Sequence, residues 1–173
     1  MKKSVILIAV MLILLSTLIG CDTPVDGTTT KATENTTITI PGTLVAENFT
    51  FTIVSAELAP SVILDSGVDI TIDADEGKQF LILCVDATNT SDKISNLGPF
   101  TTYLDNTTIL PKNVLGKYRD RTLMVGAVHP GKTMTTYAMY QVPTDWEFFE
   151  ISYIDTLTCS VSSSVKFSRS DVK

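Results

Sequence analysis

The chain has 173 residues, 19 of them acidic and 13 basic, and a formal net charge of −6. A net negative charge opposes binding to nucleic acid and electrostatic adhesion to an anionic bilayer. The single histidine excludes metal sites that are built from several histidines.

An apolar segment, residues 5–19, lies near the start of the chain and follows Lys2 and Lys3. Its 15 positions fall short of the roughly 20 apolar residues that a membrane-spanning helix needs. It is apolar all round, which does not fit a surface helix. A basic start, a short apolar segment and the small Gly20 behind it are typical of a secretory signal peptide. The sequence therefore predicts a signal peptide over residues 1–20.

The last residues of that segment, Leu18, Ile19, Gly20 and Cys21, resemble the lipobox of prokaryotic lipoproteins. The resemblance implies lipidation of Cys21, cleavage just before it, and attachment to the cell membrane at its extracytoplasmic face. Two or more acyl chains hold a protein stably at a bilayer, whereas one chain binds reversibly. A plain signal peptide or an uncleaved anchor is the alternative. Cleavage removes two lysines and no acid, so the net charge of −6 becomes −8.

Residues 21–37 are rich in threonine and contain almost no large apolar side chains. Such a segment cannot bury enough surface to offset the entropy lost on ordering. We expect a disordered tether that starts at the lipidated Cys21 and reaches about 20–25 Å. The remaining residues, 38–173, are enough for one folded domain.

Within that domain, apolar side chains recur at every second position, which is typical of half-buried β-strands. The residues predicted to point inward are Phe49, Phe51, Ile53, Val68, Ile70, Ile72, Met134, Ala138, Tyr140 and Val142. Residues 79–85 are apolar at almost every position, up to Asp86, which predicts a central strand. Turn-forming residues separate the strands at 75–77, 89–92, 105–106 and 129–132. Eight or so short strands predict an all-β fold, an Ig-like antiparallel β-sandwich.

Three segments carry a further resemblance: a strand that ends at Asn89, a turn at Pro130 and Gly131, and a strand that ends at Val142 and Pro143. Together they resemble the telokin-like, Ig-like domain of prokaryotic lipoproteins. That family has no known function and is related to the mycobacterial immunoprotective secreted antigen. The resemblance covers roughly residues 44–155 and implies a fold. It brings no activity and no functional residues.

The sequence offers little for catalysis. His129 is the only histidine, and its neighbours indicate a solvated turn. Residues 73–77 contain three carboxylates, but the spacing does not match an EF-hand calcium loop. We therefore predict no enzyme, no catalytic residue, no metal and no cofactor. A hydrolase based on carboxylates, with Asp86 or Asp105 beside another acid, is the least favoured alternative.

Cys84 and Cys159 both lie in strand-like segments of a chain that is predicted to be exported. Oxidising surroundings favour a disulfide between them. Two buried free thiols that act as small apolar side chains are the alternative.

A basic segment stands out in this acidic chain. Four of its cations, Lys112, Lys117, Arg119 and Arg121, fall within residues 111–121, with Tyr118 among them. We expect these cations to project away from the acids, and we predict a candidate binding loop. A charge-rich connection balanced by acidic neighbours is the alternative.

Taken together, these features predict a lipid-anchored protein of the cell envelope with a non-catalytic binding or adaptor role. Its predicted partners are the membrane, through the lipid, and an unknown envelope protein or polymer, with no nucleic acid. A structural or antigenic surface lipoprotein without a ligand is the alternative.

Overall fold

The structure is a computed structural model, and it describes residues 36–37, 40, 42–98, 100–112, 116–154 and 164–172. The predicted signal peptide, Cys21 and most of the predicted tether lie outside these residues, as does Cys159.

The described part of the chain is built almost entirely of strands. They are β1 (Thr36–Thr37), β2 (Gly42–Val45), β3 (Phe49–Ala59), β4 (Ser61–Asp65), β5 (Asp69–Asp73), β6 (Lys78–Asn89), β7 (Ser95–Leu97), β8 (Phe100–Leu104), β9 (Thr107–Ile109), β10 (Thr122–Leu123), β11 (Gly126–Val128), β12 (Thr133–Pro143), β13 (Phe148–Tyr153) and β14 (Val165–Ser168). One short 3-10 helix, Arg169–Asp171, follows β14.

Two five-stranded sheets form the domain, with strand orders β1-β14-β13-β8-β9 and β10-β12-β6-β3-β2. The main apolar core combines buried residues of both sheets, such as Phe51 and Leu83 of one sheet and Phe149 and Phe167 of the other. Two further pairs, β11-β7 and β4-β5, lie outside the large sheets. The prediction of an all-β sandwich is confirmed.

Strand β6 is the central strand that its sequence predicts. It pairs antiparallel with β12 on one side and with β3 on the other. Its odd-numbered residues, such as Leu81 and Val85, belong to the core between the sheets. Phe80 and Ile82 point the other way, into a second apolar cluster. The lack of alternation in this segment therefore reflects burial on both faces.

The second cluster lies under the β4-β5 hairpin, which covers the outer face of the β6 sheet. Val62 and Leu64 of β4 pack there. Strand β5 is present as predicted, but the expected burial of its apolar side chains is wrong for two of three. Val68 is 70% exposed and Ile70 is also exposed, whereas Ile72 packs against the cluster. Ile70 lies opposite the fully buried Leu64 in the hairpin, so sharing a face with a buried residue does not by itself bury it.

The alternation predicted for β3 and β12 is confirmed. Phe49, Phe51 and Ile53 of β3 lie in the main core. The inward-pointing residues of β12 join the same core, namely Ala138, Tyr140 and Val142, with Met134 partly buried against it.

Asn89, at the end of β6, holds the turns at that end of the sandwich together. Its side-chain nitrogen donates to the carbonyl oxygens of Lys93 and Val128, each at 2.7 Å. Its side-chain oxygen accepts from the backbone N–H and the hydroxyl of Ser91, at 2.9 and 2.8 Å. The side chain is fully buried, and these four bonds satisfy both its donor and its acceptor groups.

Strand β1 falls at the end of the predicted tether. Thr36 and Thr37 pair in parallel with Val165 and Lys166 of β14. The ordered sheet therefore begins two residues before the predicted start of the domain. Within the described ranges, no helix is long and apolar enough to cross a membrane.

Candidate functional site: the basic segment and the adjoining pocket

The second half of the basic segment, residues 116–121, is fixed against strand β4. Asp65 and Lys117 exchange backbone hydrogen bonds of 2.9 and 2.7 Å. A tight turn follows, in which Tyr118 and Arg121 exchange backbone hydrogen bonds of 3.0 and 3.1 Å. Arg119 adopts a φ of 56° inside that turn. The backbone of this segment is therefore part of the folded domain.

Gly116 allows the close approach of this segment to β4. Its φ is 143°, which side-chain-bearing residues rarely adopt. A Cβ at this position would lie 2.9 Å from the Cβ of Leu64. Its carbonyl oxygen accepts a hydrogen bond of 3.1 Å from the hydroxyl of Tyr137. The glycine is thus required both by conformation and by space.

Glu57 of β3 binds two residues of the basic segment. Its carboxylate accepts two hydrogen bonds from the Arg119 guanidinium, at 2.9 and 2.8 Å, and one from the Tyr118 hydroxyl at 3.0 Å. The guanidinium also lies 5.1 Å from the centre of the Tyr118 ring. Burial, and then the bond to Glu57, raises the pKa of Tyr118 to about 12. The charges of Tyr118 and Glu57 raise the pKa of Arg119.

Arg121 is bound to strand β6. Its guanidinium donates to the carboxylate of Asp86 at 2.6 Å and to the carbonyl oxygen of Val85 at 3.3 Å. Only 16% of its side chain is exposed, against 63% for Arg119. The expectation that the cations of this segment project away from the acids is therefore wrong for both arginines.

The two lysines of the predicted binding loop differ from its two arginines. Lys112 and Lys117 are exposed, and neither side chain forms a salt bridge with a described acid. The pKa of Asp75 is lowered by hydrogen bonds from Gln141 and Lys78, with a smaller contribution from the charge of Lys112. These lysines are therefore the cations of the predicted binding loop that form no salt bridge within the described ranges.

An apolar pocket opens beside the basic segment, at the β10 and β12 edge of the sandwich. Its volume is about 130 Å³. Its lining includes Phe100, Pro111, Met124, Val125, Ala138 and Tyr140. Phe100 belongs to one large sheet and Ala138 and Tyr140 to the other, so the pocket lies where the two sheets diverge.

The mouth of the pocket is apolar as well. Val125, which lines the pocket, is 56% exposed, and Leu110, next to the lining residue Pro111, is 79% exposed. Among the residues that the structure describes, the lining contains no carboxylate, amine, thiol or imidazole. Burial raises the pKa of its two tyrosines, Tyr137 and Tyr140. The described lining suits an apolar group.

Both lysines are neighbours of this pocket in the chain. Lys112 directly follows Pro111, and its backbone N–H donates to the carbonyl oxygen of Met139 at 2.6 Å. Lys117 directly follows Gly116, which is hydrogen-bonded to the pocket residue Tyr137. Gly116 itself packs against Leu64 of the second apolar cluster, whereas Phe100, Met124 and Ala138 of the pocket belong to the main core.

Two other residues that the sequence offers as candidates for catalysis, His129 and Asp105, lie in a turn and in a set of backbone hydrogen bonds. His129 is exposed, and its carbonyl oxygen accepts from the N–H of Lys132 in a turn. The Asp105 carboxylate accepts from the backbone N–H groups of Glu147 and Phe148 at 2.8–3.2 Å. No three His, Cys, Asp or Glu side chains converge in a metal-binding arrangement within the part of the chain that the structure covers.

Cys84 is buried in β6 and forms no disulfide with another described residue. Its predicted partner, Cys159, lies outside the described ranges, and so does the lipidation site Cys21. The disulfide and the lipidation therefore stay predictions.

No family model matches the chain, and no curated protein matches it. The telokin-like resemblance is therefore not confirmed at the level of a family.

Solved structures are similar in fold. One is a protein of Bacillus subtilis that is provisionally assigned as a lipoprotein (YcdA), with a TM-score of 0.54 and 15% identity over 73% of this chain. This chain spans only 37% of that protein. An uncharacterised β-sandwich protein of Clostridium difficile has a TM-score of 0.54 and 10% identity, over 85% of this chain and 99% of its own.

The YjhA protein of Bacillus subtilis has a TM-score of 0.52 and 19% identity, over 73% of this chain and 96% of its own. Identities this low show a common fold alone. The chain is thus a β-sandwich protein similar in architecture to uncharacterised bacterial proteins.

Proposed function

We propose that this chain is a lipid-anchored protein of the extracytoplasmic cell surface, and that its sandwich is a non-catalytic binding or adaptor module. The apolar pocket at the β10 and β12 edge is the observation that carries this proposal. Surface pockets with apolar linings are the commonest ligand sites in proteins. Val125 of the lining is 56% exposed, so the pocket is open to solvent beside an apolar side chain.

The chemistry of the polar residues supports binding over catalysis. The carboxylates of Glu57, Asp86 and Asp105 all accept hydrogen bonds from arginine or from backbone N–H groups. These hydrogen bonds give the three carboxylates a structural role.

The anchor in this proposal rests on the sequence. The signal peptide is residues 1–20, Cys21 carries the lipid, and the tether leads to the sheet that begins with β1. A lipoprotein assignment, although provisional, of the similar B. subtilis protein agrees with this arrangement. We also propose that the sandwich is a telokin-like domain, on the basis of the strand ends at Asn89 and Pro143.

Site-specific photo-crosslinking on the full chain, in cells that make it naturally, tests the binding role. Benzoylphenylalanine at position 125 would stand at the pocket mouth. The same residue at position 68 is a matched control, because Val68 is also highly exposed but lies on the β4-β5 hairpin. We expect discrete adducts from position 125 that are absent from position 68 and are lost when Ala138→Leu fills the pocket. Identical adducts from both positions, or none from position 125, would contradict the proposal.

A further inference from the structure

We propose that the outer face of the sheet β1-β14-β13-β8-β9 binds an uncharged glycan chain, with Phe148 and Tyr103 in contact with its sugar rings and Glu150 accepting hydrogen bonds from its hydroxyls. None of these three residues lines the apolar pocket, so the face is a second binding surface. The inference goes beyond the proposed function and shares with it only the location at the cell surface.

Two aromatic side chains and one carboxylate lie together on this face. Phe149 and Ile151 of β13 are buried in the main core, so Phe148 and Glu150, which alternate with them, point outward. Tyr103 of β8 lies directly opposite Glu150 where the two strands pair. Phe148 is 42% exposed and Tyr103 is 37% exposed. Neighbours on one face of a strand are about 7 Å apart, so both aromatic side chains are close to the carboxylate.

The Glu150 carboxylate and the Tyr103 hydroxyl are not used in holding the fold together. Lys166 of β14 lies opposite Glu150 in the strand pairing, but the two side chains form no salt bridge. The Lys166 ammonium lies instead 4.4 Å from the centre of the Phe148 ring. Within the described ranges, neither the carboxylate nor the hydroxyl has a hydrogen-bond partner. Both groups can therefore bind hydroxyls of a ligand.

A depression next to Phe148 has room for a sugar. Its volume is about 540 Å³, and its lining includes Phe148, Lys166, Ser168 and Asp171. Small-molecule sites have volumes of roughly 300–1,000 Å³ and contain a few placed polar groups. The Asp171 carboxylate is placed in this way, because it accepts hydrogen bonds from the backbone N–H and the hydroxyl of Ser168, at 2.8 and 2.7 Å.

The charges of this sheet indicate an uncharged ligand. Its described strands and the helix after β14 contain two acids and two cations, namely Glu150, Asp171, Lys166 and Arg169. A balanced surface does not attract nucleic acid or another polyanion. Aromatic rings pack against the C–H groups of a sugar ring, and a carboxylate accepts strong hydrogen bonds from its hydroxyls.

A proline-rich peptide is another polymer that aromatic surfaces bind. Proline has no backbone N–H, so such a peptide would offer Glu150 few donors. A purely apolar ligand would cover the same carboxylate without any donor, which is unfavourable. The position of Glu150 beside Phe148 and Tyr103 therefore favours a ligand that is rich in hydroxyls.

Saturation-transfer difference NMR on the full lipidated chain, held in phosphatidylcholine nanodiscs, tests the inference. The probes are β-1,4-linked tetrasaccharides of glucose and of N-acetylglucosamine, a sulfated glucose tetrasaccharide and a proline-rich peptide, with empty nanodiscs as the blank. We expect saturation of the ring C–H protons of at least one uncharged tetrasaccharide. The sulfated sugar and the peptide should give weaker signals or none.

Variants assign the binding to this face. Phe148→Ala and Glu150→Gln should each weaken binding of the uncharged sugar about five-fold or more. Val68→Ala and Glu76→Gln, at exposed positions on the β4-β5 hairpin and in the β5-β6 turn, are the matched controls and should leave it unchanged. Tyr103→Phe, which keeps the ring, should weaken binding less than Tyr103→Ala. Midpoints of urea denaturation identify the variants that remain folded.

Every other outcome overturns the inference. If neither uncharged tetrasaccharide is saturated, the face binds no glycan, while the role of the pocket is still decided separately by the crosslinks from position 125. If folded Phe148→Ala and Glu150→Gln bind the sugar as the wild type does, the sugar lies elsewhere on the chain. If the peptide or the sulfated sugar binds more tightly, the face selects a polypeptide or a polyanion.

Discussion

The side-chain nitrogen of Asn89 donates a hydrogen bond of 2.7 Å to the carbonyl oxygen of Val128, 39 positions further along the chain. This bond joins the end of β6, in a large sheet, to β11, in a small one. The backbone of Asn89 adds two bonds to the turn before β12, with Gly131 and Lys132 at 2.9 and 3.0 Å. One buried amide therefore positions three segments that meet at one end of the sandwich.

Replacing Asn89 by alanine should destabilise the domain strongly. The change removes the Asn89 donor from the carbonyl oxygen of Val128, whereas the carbonyl oxygen of Lys93 still accepts from the Ser91 hydroxyl at 3.0 Å. A buried unsatisfied polar group costs about 1–3 kcal/mol, and we expect a loss of that order in the free energy of unfolding, measured by urea denaturation. Asn96→Ala, at an exposed position of β7, is the control and should cost less. Equal losses for the two variants would show that the amide bonds are not important.

Arg121→Ala should destabilise the domain more than Arg119→Ala. Arg121 is mostly buried and its removal leaves Asp86 without its cation, which costs about 1–3 kcal/mol. Arg119 is largely exposed, and pairs of that kind contribute about 0–1 kcal/mol. Urea denaturation of the two variants side by side provides the comparison. The reverse order would mean that burial does not determine the strength of these pairs.

Gly116→Ala should destabilise the domain more than Gly67→Ala does. Both glycines have a positive φ, so both substitutions carry conformational strain, of order 1–3 kcal/mol. Only at Gly116 does the added methyl group also meet another residue, Leu64, whereas nothing lies within 4 Å at Gly67. The difference between the two midpoints of denaturation therefore measures the steric contribution. Matching midpoints would argue against the close packing of the basic segment on β4.

Stability should fall at high pH partly because of Tyr118. Its pKa is about 12 in the folded chain and ordinarily about 10, so the folded state retains a proton that the unfolded state loses. The stabilisation is fully present below pH 10 and is lost between about pH 10 and 12. We expect the stability difference between the wild type and Tyr118→Phe to shrink over that window, as followed by denaturation at fixed pH values. A difference independent of pH would mean that the hydroxyl is not held by Glu57.

The proposed lipidation of Cys21 predicts a defined chemical product. The mature chain should begin at Cys21, with a mass increased by acyl chains, and should partition into detergent. Cys21→Ser should remove the added mass, as intact mass spectrometry would show, whereas Ser16→Ala, inside the apolar segment, should leave it in place. A wild-type chain without any added mass would eliminate lipidation at this position.

The strands were predictable where one physical requirement dominates. In β3, residues 49–53 alternate because one face meets the core, and in β6 residues 80–83 do not alternate because both faces are buried. The β4-β5 hairpin shows the limit, since the same alternation occurs at Val68 and Ile70, which are both exposed. A periodic sequence indicates which side chains share a face, but not whether anything lies against that face.

The candidate site was only partly predictable, for a related reason. The basic residues of 112–121 are visible as a group in the sequence. Their partners Glu57 and Asp86 lie on strands, 62 and 35 positions away respectively, and become neighbours only in the folded sheet. The pocket combines Phe100, Pro111, Val125 and Ala138, none of which differs in the sequence from an ordinary core or loop residue.

The burial of both faces of β6 affects how its register relative to the neighbouring strands is determined. If β6 slipped by one position, its apolar side chains would exchange faces, and both faces would still be filled by large apolar residues. Burial alone therefore penalises such a slip only through differences in shape. The polar residues at the end of the strand penalise it directly, because Asp86 would turn away from Arg121 and the amide of Asn89 would lose Val128. In this domain, two polar side chains select the alignment of its most apolar strand.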